Sequence, residues 1–198
     1  MQARQVFGAP TQAHVARTRI DYCSRCGHPT EERIVADTVR SVCTACGFVH
    51  YVNPYPGVSI LIPDGGRALL VRRGHGHSHP GLWCMPCGAI EHAEDFLSAA
   101  IREVREETSL QVEIVSLLSV CTNYFANGTT TLVPVLEARI LSGTPAPDGD
   151  ETIDIGWFAP DELPDLAFEA DGHIIQRYFA TGLIGAPVDP LYARPGSL

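Results

Sequence analysis

Apolar residues fall along this chain in short blocks with two different periods. The continuous runs Val58-Ser59-Ile60-Leu61-Ile62 and Ala68-Leu69-Leu70-Val71 flank the turn residues Pro63-Asp64-Gly65-Gly66, which predicts two strands joined as a hairpin. Residues 113–124, 130–141 and 153–158 read as further strands. Over residues 93–110, AEDFLSAAIREVREETSL, the period changes: Leu97, Ala100, Ile101, Val104 and Thr108 recur at helical spacing and define one largely apolar face. Asp161 and residues 173–180 suggest further helical pieces, and 143–149 is a Pro/Gly loop. Residues 72–80 form a loop holding His75, His77 and His79, read as solvated rather than metal-binding. Strands and helices mixed without a repeat predict an α/β or α+β domain.

The length, 198 residues, leaves room for one medium domain and a small appendage. No apolar run is long enough to span a bilayer, so no membrane association is expected. The first twenty residues lack the continuous apolar stretch of a secretory signal. They read as a loosely docked tail, and the expected location is the cytoplasm. A net charge of −9 with no basic cluster argues against a general nucleic-acid binder. All fourteen basic residues are arginine. A chain without lysine cannot form a Walker-type phosphate loop or a Schiff base, so phosphate would have to be met by arginine, backbone amides or metal.

Four of the seven cysteines stand as Cys23-Ser24-Arg25-Cys26 and Cys43-Thr44-Ala45-Cys46, with sixteen residues between the pairs. That spacing is the one expected of a tetrahedral four-thiolate zinc site, against two disulfides or incidental thiols as the plainer readings. Gly27 and Gly47 follow the pairs and permit the tight turns that bring amides to thiolates. A saturated site has no open coordination position, so this zinc would be structural. A third pair lies in Trp83-Cys84-Met85-Pro86-Cys87, which resembles a thioredoxin-like redox run. There the second cysteine opens a helix directly, whereas here Gly88 and residues 89–93 intervene before any helical pattern.

Glu103, Glu106 and Glu107 lie at i, i+3 and i+4 on the face of the predicted helix opposite its apolar stripe, with Arg102 at the edge. One arginine does not neutralise three stacked carboxylates, and a set of carboxylate oxygens on a rigid element suits a divalent cation as well as it suits solvent. The spacing outside the helix decides between these. Gly88, five residues, Glu94, seven residues, then Arg102-Glu103-Val104-Arg105-Glu106-Glu107-Thr108-Ser109-Leu110 resembles the Nudix box of pyrophosphohydrolases. Ser109 stands where the family has glycine, a position suited to a left-handed helix C-cap. The four-cysteine module, Asp37 and Tyr51-Val52-Asn53-Pro54 are similar to the zinc-ribbon leader of a subset of Nudix proteins. Glu151-Thr152, Trp157-Phe158, Asp161-Glu162-Leu163-Pro164 and Ala167-Phe168 are similar to the family's closing segment.

The resemblance implies a mixed sheet sandwiched between helices, the Nudix fold, with a small N-terminal zinc ribbon. It divides the chain into a tail at 1–20, a ribbon at 21–52, a hydrolase domain at 53–182 and a tail at 183–198. It further implies hydrolysis of a nucleoside diphosphate linked to a second group. Glu103, Glu106 and Glu107 would hold Mg²⁺ or Mn²⁺ with the carbonyl near Gly88 and with Glu151, and Arg102 would orient the glutamates beside Glu94 as a structural partner. The sequence does not show an oligomeric state; Nudix proteins commonly dimerise, and the resemblance allows a homodimer. NADH-preferring ribbon members carry a Ser-Gln-Pro-Trp-Pro-Phe-Pro segment after the box, and residues 110–141 hold nothing like it. ADP-ribose or FAD is therefore favoured over NADH, with a non-catalytic nucleotide sensor and an RNA-cap-processing protein as alternatives. Arg72 and Arg73 are candidates to meet phosphates, and Tyr124 and Phe125 to stack on a base or flavin.

Overall fold

A computed structural model describes residues 19–125 and 128–188. Of these, 19–55 group with the segment at 124–130, and 56–123 group with 131–188, giving two compact units. Residues 1–18 of the expected N-terminal tail lie outside the described residues.

The first unit holds a three-stranded antiparallel sheet of β1 (Thr30–Val35), β2 (Thr38–Cys43) and β3 (Val49–His50) in that order. Ala36 and Asp37 join β1 to β2 with φ of 49° and 59°, the two positive values that a two-residue hairpin turn of the strands' own twist requires.

The second unit begins with β4 (Tyr55–Leu61), β5 (Pro63–Asp64), β6 (Arg67–Arg73), β7 (Trp83–Cys84) and β8 (Cys87–Ala89). Helix α1 (Phe96–Thr108), β9 (Gln111–Tyr124), β10 (Thr130–Ser142), β11 (Thr152–Phe158), α2 (Glu169–Thr181) and β12 (Ala186–Pro187) follow. One sheet runs β12-β9-β10-β4-β8, and another runs β11-β6-β5 with β7 on β6. The predicted hairpin is corrected here: the two apolar runs lie in different sheets, and the tight hairpin is β5 with β6 around Gly65-Gly66. Local periodicity cannot distinguish these, because both runs are buried on both sides. Val58, Ile60, Ile62 and Leu69 share a cluster with Leu97, Ala100 and Val104 of α1. Leu61, Ala68 and Leu70 share another with Ile174 and Ile175 of α2. Alternate side chains of continuous apolar strands thus serve the two helices in turn.

Three further expectations are corrected. Ile101, assigned to the apolar face of α1, is 38% exposed, because it lies at the margin of the stripe. Asp161 lies in a turn rather than a helix. Within the expected tail at 183–198, Ala186 and Pro187 pair with Leu117 and Ser116 of β9; a segment without periodicity has no local signal for an edge pairing. Residues 189–198 lie outside the described residues.

Candidate active site and cysteine cluster

In the first unit the sulfurs of Cys23, Cys26, Cys43 and Cys46 all lie within 4.8 Å of one another. Cys26 Sγ is 3.4 Å from Cys43 Sγ and 3.5 Å from Cys46 Sγ, and Cys23 Sγ is 3.7 Å from Cys46 Sγ. Zinc–sulfur bonds of about 2.3 Å set tetrahedral edges of about 3.8 Å, so the spacing fits that ion. Gly27 and Gly47 take φ of 73° and 70°, turning the chain after each pair. The amide of Arg25 donates to Cys23 Sγ, and those of Ala45 and Cys46 donate to Cys43 Sγ, each at 3.4 Å. The Cys46 amide, with that of Ala45, holds the Cys43 thiol down at about 6, whereas hydrogen bonds with the neighbouring thiols push Cys26 up to about 12 against a backbone hydrogen bond at His28.

In the second unit the site is built on α1. Asp95 caps the helix, its Oδ1 accepting from the amides of Leu97 and Ser98 at 3.0 Å. Ser109 ends it in the left-handed region, φ 61°, with its amide donated to the Arg105 carbonyl at 2.9 Å. Between these caps Glu103 and Glu107 are buried, whereas the Glu106 side chain is 47% exposed. The three carboxylates therefore do not share one solvated face. Glu103 and Glu107 face the strand-turn segment around Gly88, and Glu106 turns outward. A Cβ at position 88 would stand 2.0 Å from Glu103 Cδ, so glycine there is a cradle for that carboxylate. The Cys87 amide donates to Glu107 Oε2 at 3.0 Å.

Arg102 ties the site together. Its Nε and Nη2 donate to the two carboxylate oxygens of Glu94 at 2.9 Å, and Nη2 also donates to the Ala89 carbonyl at 2.9 Å. Nη1 donates to Glu103 Oε1 at 2.8 Å and Glu106 Oε2 at 3.0 Å. The hydrogen bonds from Arg102 lower the Glu94 carboxyl. Burial raises Glu103 despite Arg102, and the Glu106 and Glu151 charges add to the rise. Burial raises Glu107 well above the carboxylate range. Buried carboxylates that one guanidinium leaves uncompensated suit a divalent cation. Among the described residues, however, only the four cysteines bring three or more ligand atoms within 4.8 Å of one another. The carboxylates stand more openly as a set.

Glu151 pairs with His77 Nδ1 at 3.2 Å, so the histidine loop is engaged rather than wholly solvated. Arg72 is exposed, its Nε donating to the Gly81 carbonyl at 3.1 Å. Arg73 is turned inward. Its Nε donates to the Ser78 carbonyl at 2.6 Å, its Nη1 lies 3.7 Å from both Cys84 Sγ and Cys87 Sγ, and its guanidinium stands over Phe168. Tyr124 and Phe125 belong to the segment that groups with the first unit. Asp171, at the first turn of α2, escaped the sequence reading. Its buried carboxylate accepts from the Met85 amide at 2.9 Å, and burial pushes it up to about 7. No local pattern marks it, since the partner lies 86 residues away.

The profile of the family described as NUDIX domain matches residues 54–178. The chain belongs to the Nudix family. A second Nudix profile, described as Nudix N-terminal and corresponding to a zinc ribbon, matches residues 21–52. The Nudix chain is 27% identical over 181 residues to the NAD-capped RNA hydrolase NudC of Stutzerimonas stutzeri, covering 90% of this chain and 63% of that protein. It is 29% identical over 147 residues to the protein of the same name from Haemophilus influenzae, covering 73% and 54%. The chain thus spans about three-fifths of the length of the first of these relatives and about half of the second. The crystal structure of a NUDIX hydrolase from Nitrosomonas europaea superposes with a TM-score of 0.71 at 29% identity, covering 85% of this chain and 96% of that one. A MutT NUDIX hydrolase from Burkholderia pseudomallei gives 0.59 at 31% identity, covering 63% and 98%.

Proposed function

We propose that this protein is a metal-dependent pyrophosphohydrolase that cuts a nucleoside diphosphate linked to a second group, releasing a nucleoside monophosphate and a phosphorylated partner. The observation that carries this reading is the packing of the Glu103 and Glu107 carboxylates against Gly88 and the Cys87 amide, with Arg102 bonded to Glu94, Glu103 and Glu106. Glu103, Glu106 and Glu107, with the Gly88 carbonyl and Glu151, would hold Mg²⁺ or Mn²⁺. The chemistry such an ion would supply here is neutralisation of phosphate oxygens and acidification of a water. The protein's own part is to bury and aim the carboxylates, so that a bound cation would be what favours their ionised form. Arg102 fixes Glu103 and Glu106 from one side, and the Cys87 amide fixes Glu107 from the other. The four cysteines hold one structural zinc.

Within this class we favour ADP-ribose or FAD over NADH, because residues 110–141 lack the segment that marks NADH-preferring members. The names of the relatives support a second reading, in which the same pyrophosphate cut is made on a nicotinamide dinucleotide at an RNA 5′ end. One experiment separates these. The protein is incubated with ADP-ribose, FAD, NADH, NAD and a 5′-NAD RNA, with Mg²⁺ or Mn²⁺, beside Glu106→Gln. AMP released faster from ADP-ribose or FAD than from NADH, and lost in the variant, supports the first reading. Release of nicotinamide mononucleotide from the capped RNA alone, leaving a 5′-monophosphate RNA and weakening with salt, supports the second. Tight binding of a compound without turnover of any would overturn both in favour of a sensor.

A further inference from the structure

Cys84 and Cys87 face each other across the turn that joins β7 to β8, their sulfurs 3.9 Å apart. Only Met85 and Pro86 separate them, and strand pairing and hydrogen bonds position the backbone on either side. Cys84 pairs with Val71 of β6 and Cys87 with Ser59 of β4. The Met85 amide is held by Asp171, and the Pro86 carbonyl accepts from the Ile60 amide at 2.8 Å. Closing the 3.9 Å between the sulfurs to the roughly 2.05 Å of a disulfide takes side-chain rotation together with a shift of the Cys87 backbone. Arg73 Nη1 lies 3.7 Å from each sulfur, and the guanidinium is anchored by the Ser78 carbonyl and hydroxyl. A fixed cation beside two thiols favours a thiolate, although the hydrogen bond with Cys84 and burial together hold the Cys87 thiol well above its ordinary value, and such a cation opposes a bound metal ion. In keeping with this, among the described residues no third ligand atom joins the pair in a metal-binding group. The two residues also differ in burial: Cys84 is fully buried and Cys87 is intermediate.

We propose that Cys84 and Cys87 form a reversible disulfide, closed by small-molecule disulfides such as oxidised glutathione, that loosens the hold of the Cys87 amide on Glu107. The sulfur of Cys87, the less buried of the two residues, attacks one sulfur of glutathione disulfide. A mixed disulfide forms, the glutathione S–S bond breaks, and the departing glutathione takes the Cys87 proton. The sulfur of Cys84 then attacks Cys87 Sγ, the mixed disulfide breaks, and the second glutathione leaves with the Cys84 proton. Two protein thiols are oxidised by two electrons, and one glutathione disulfide is reduced to two glutathione molecules. Closure draws Cys87 toward Cys84. The Cys87 amide is the group bonded to Glu107 Oε2, and the next residue, Gly88, cradles Glu103. The consequence for metal binding rests on the function proposed above; the disulfide does not.

The test uses the full-length, zinc-loaded protein equilibrated in graded mixtures of glutathione and its disulfide, then alkylated and digested with trypsin. The chain has no lysine and no arginine between Arg73 and Arg102, so peptide 74–102 carries Cys84 and Cys87 and no other cysteine. The peptide is expected to lose two hydrogens without retaining glutathione, and to recover both alkylation sites after dithiothreitol. Cys84→Ser is expected to stop at a glutathione adduct on Cys87. Mn²⁺ affinity, read from the paramagnetic signal of the free ion, is expected to fall several-fold in the oxidised protein. A peptide that stays doubly alkylated across the range, or a Cys84→Ser protein that takes no glutathione, overturns the site. A closed disulfide with unchanged Mn²⁺ affinity overturns its coupling to Glu107. A protein that turns over no nucleotide yet closes the disulfide overturns only the hydrolase reading.

Discussion

Ser109 occupies a conformation that a residue with a Cβ reaches at a cost. Its φ of 61° ends α1 in the left-handed region, where glycine is relaxed and serine is not. Ser109→Gly is therefore expected to stabilise the unit by about 1 kcal/mol, a gain of roughly 2–4 °C in melting temperature by calorimetry. Gly88 is the opposite case. A methyl group there would overlap the Glu103 carboxyl at 2.0 Å, so Gly88→Ala should drive Glu103 out of its cradle. Mn²⁺ affinity should fall at least tenfold by titration, while circular dichroism keeps the helical signal. The sequence already marked both residues, glycine through its place ahead of the box and serine as the departure from it. Which of the three glutamates would be buried was not visible. Positions i, i+3 and i+4 are equivalent along an isolated helix until a neighbouring segment covers one side of them.

Helix α1 is specified locally at both ends, and its start can be tested alone. Asp95 accepts from two amides of the first turn, and Ser98 and Leu97 keep its carboxyl below the usual value against the upward push of burial. Asp95→Ala should cost about 1 kcal/mol by denaturant titration. A carboxyl held low contributes stability that is present above its unfolded pKa, so the difference between parent and variant should shrink as the pH falls through the acid range. The helical period of α1 was legible because its apolar stripe repeats over several turns. The strand runs gave less. Val58 to Ile62 and Ala68 to Val71 announced burial, yet their division between two sheets depends on which partner each finds. A continuous apolar run carries no register.

At the scale of the molecule the buried carboxyls set the pH response. Burial pushes Asp171 up to about 7, above an ordinary aspartate near 3.9. A carboxyl raised on folding contributes stability that is full below its unfolded pKa and is lost as pH rises through the folded one. Stability should therefore decline between about pH 4 and pH 8. Asp171→Asn, which keeps an acceptor for the Met85 amide, should flatten that decline and gain on the order of a few kcal/mol over the parent above pH 8 in denaturant melts. Glu103 and Glu107 are raised for the same reason, burial. The rise in melting temperature on adding Mg²⁺ should accordingly grow with pH above the ordinary glutamate range. A rise that stays flat with pH would count against these carboxylates as the ligands.

The sequence alone determined the family, the mixed α/β class, the four-cysteine cluster and the carboxylate helix, because each depends on spacings within a few turns or a short loop. Cys23, Cys26, Cys43 and Cys46 meet through two tight local turns. Glu103 and Glu107 are one helical turn apart on a helix with its own caps. What only the tertiary structure decided are the meetings across long separations. Arg73, a candidate for phosphate from sequence, turns inward to two thiols on a later turn. Asp171, silent in the sequence, reaches the Met85 amide 86 residues away. Ala186 and Pro187, expected in a tail, pair with β9. Local spacing is written into the order of residues, whereas a contact between distant segments follows from how whole sheets and helices bury their faces.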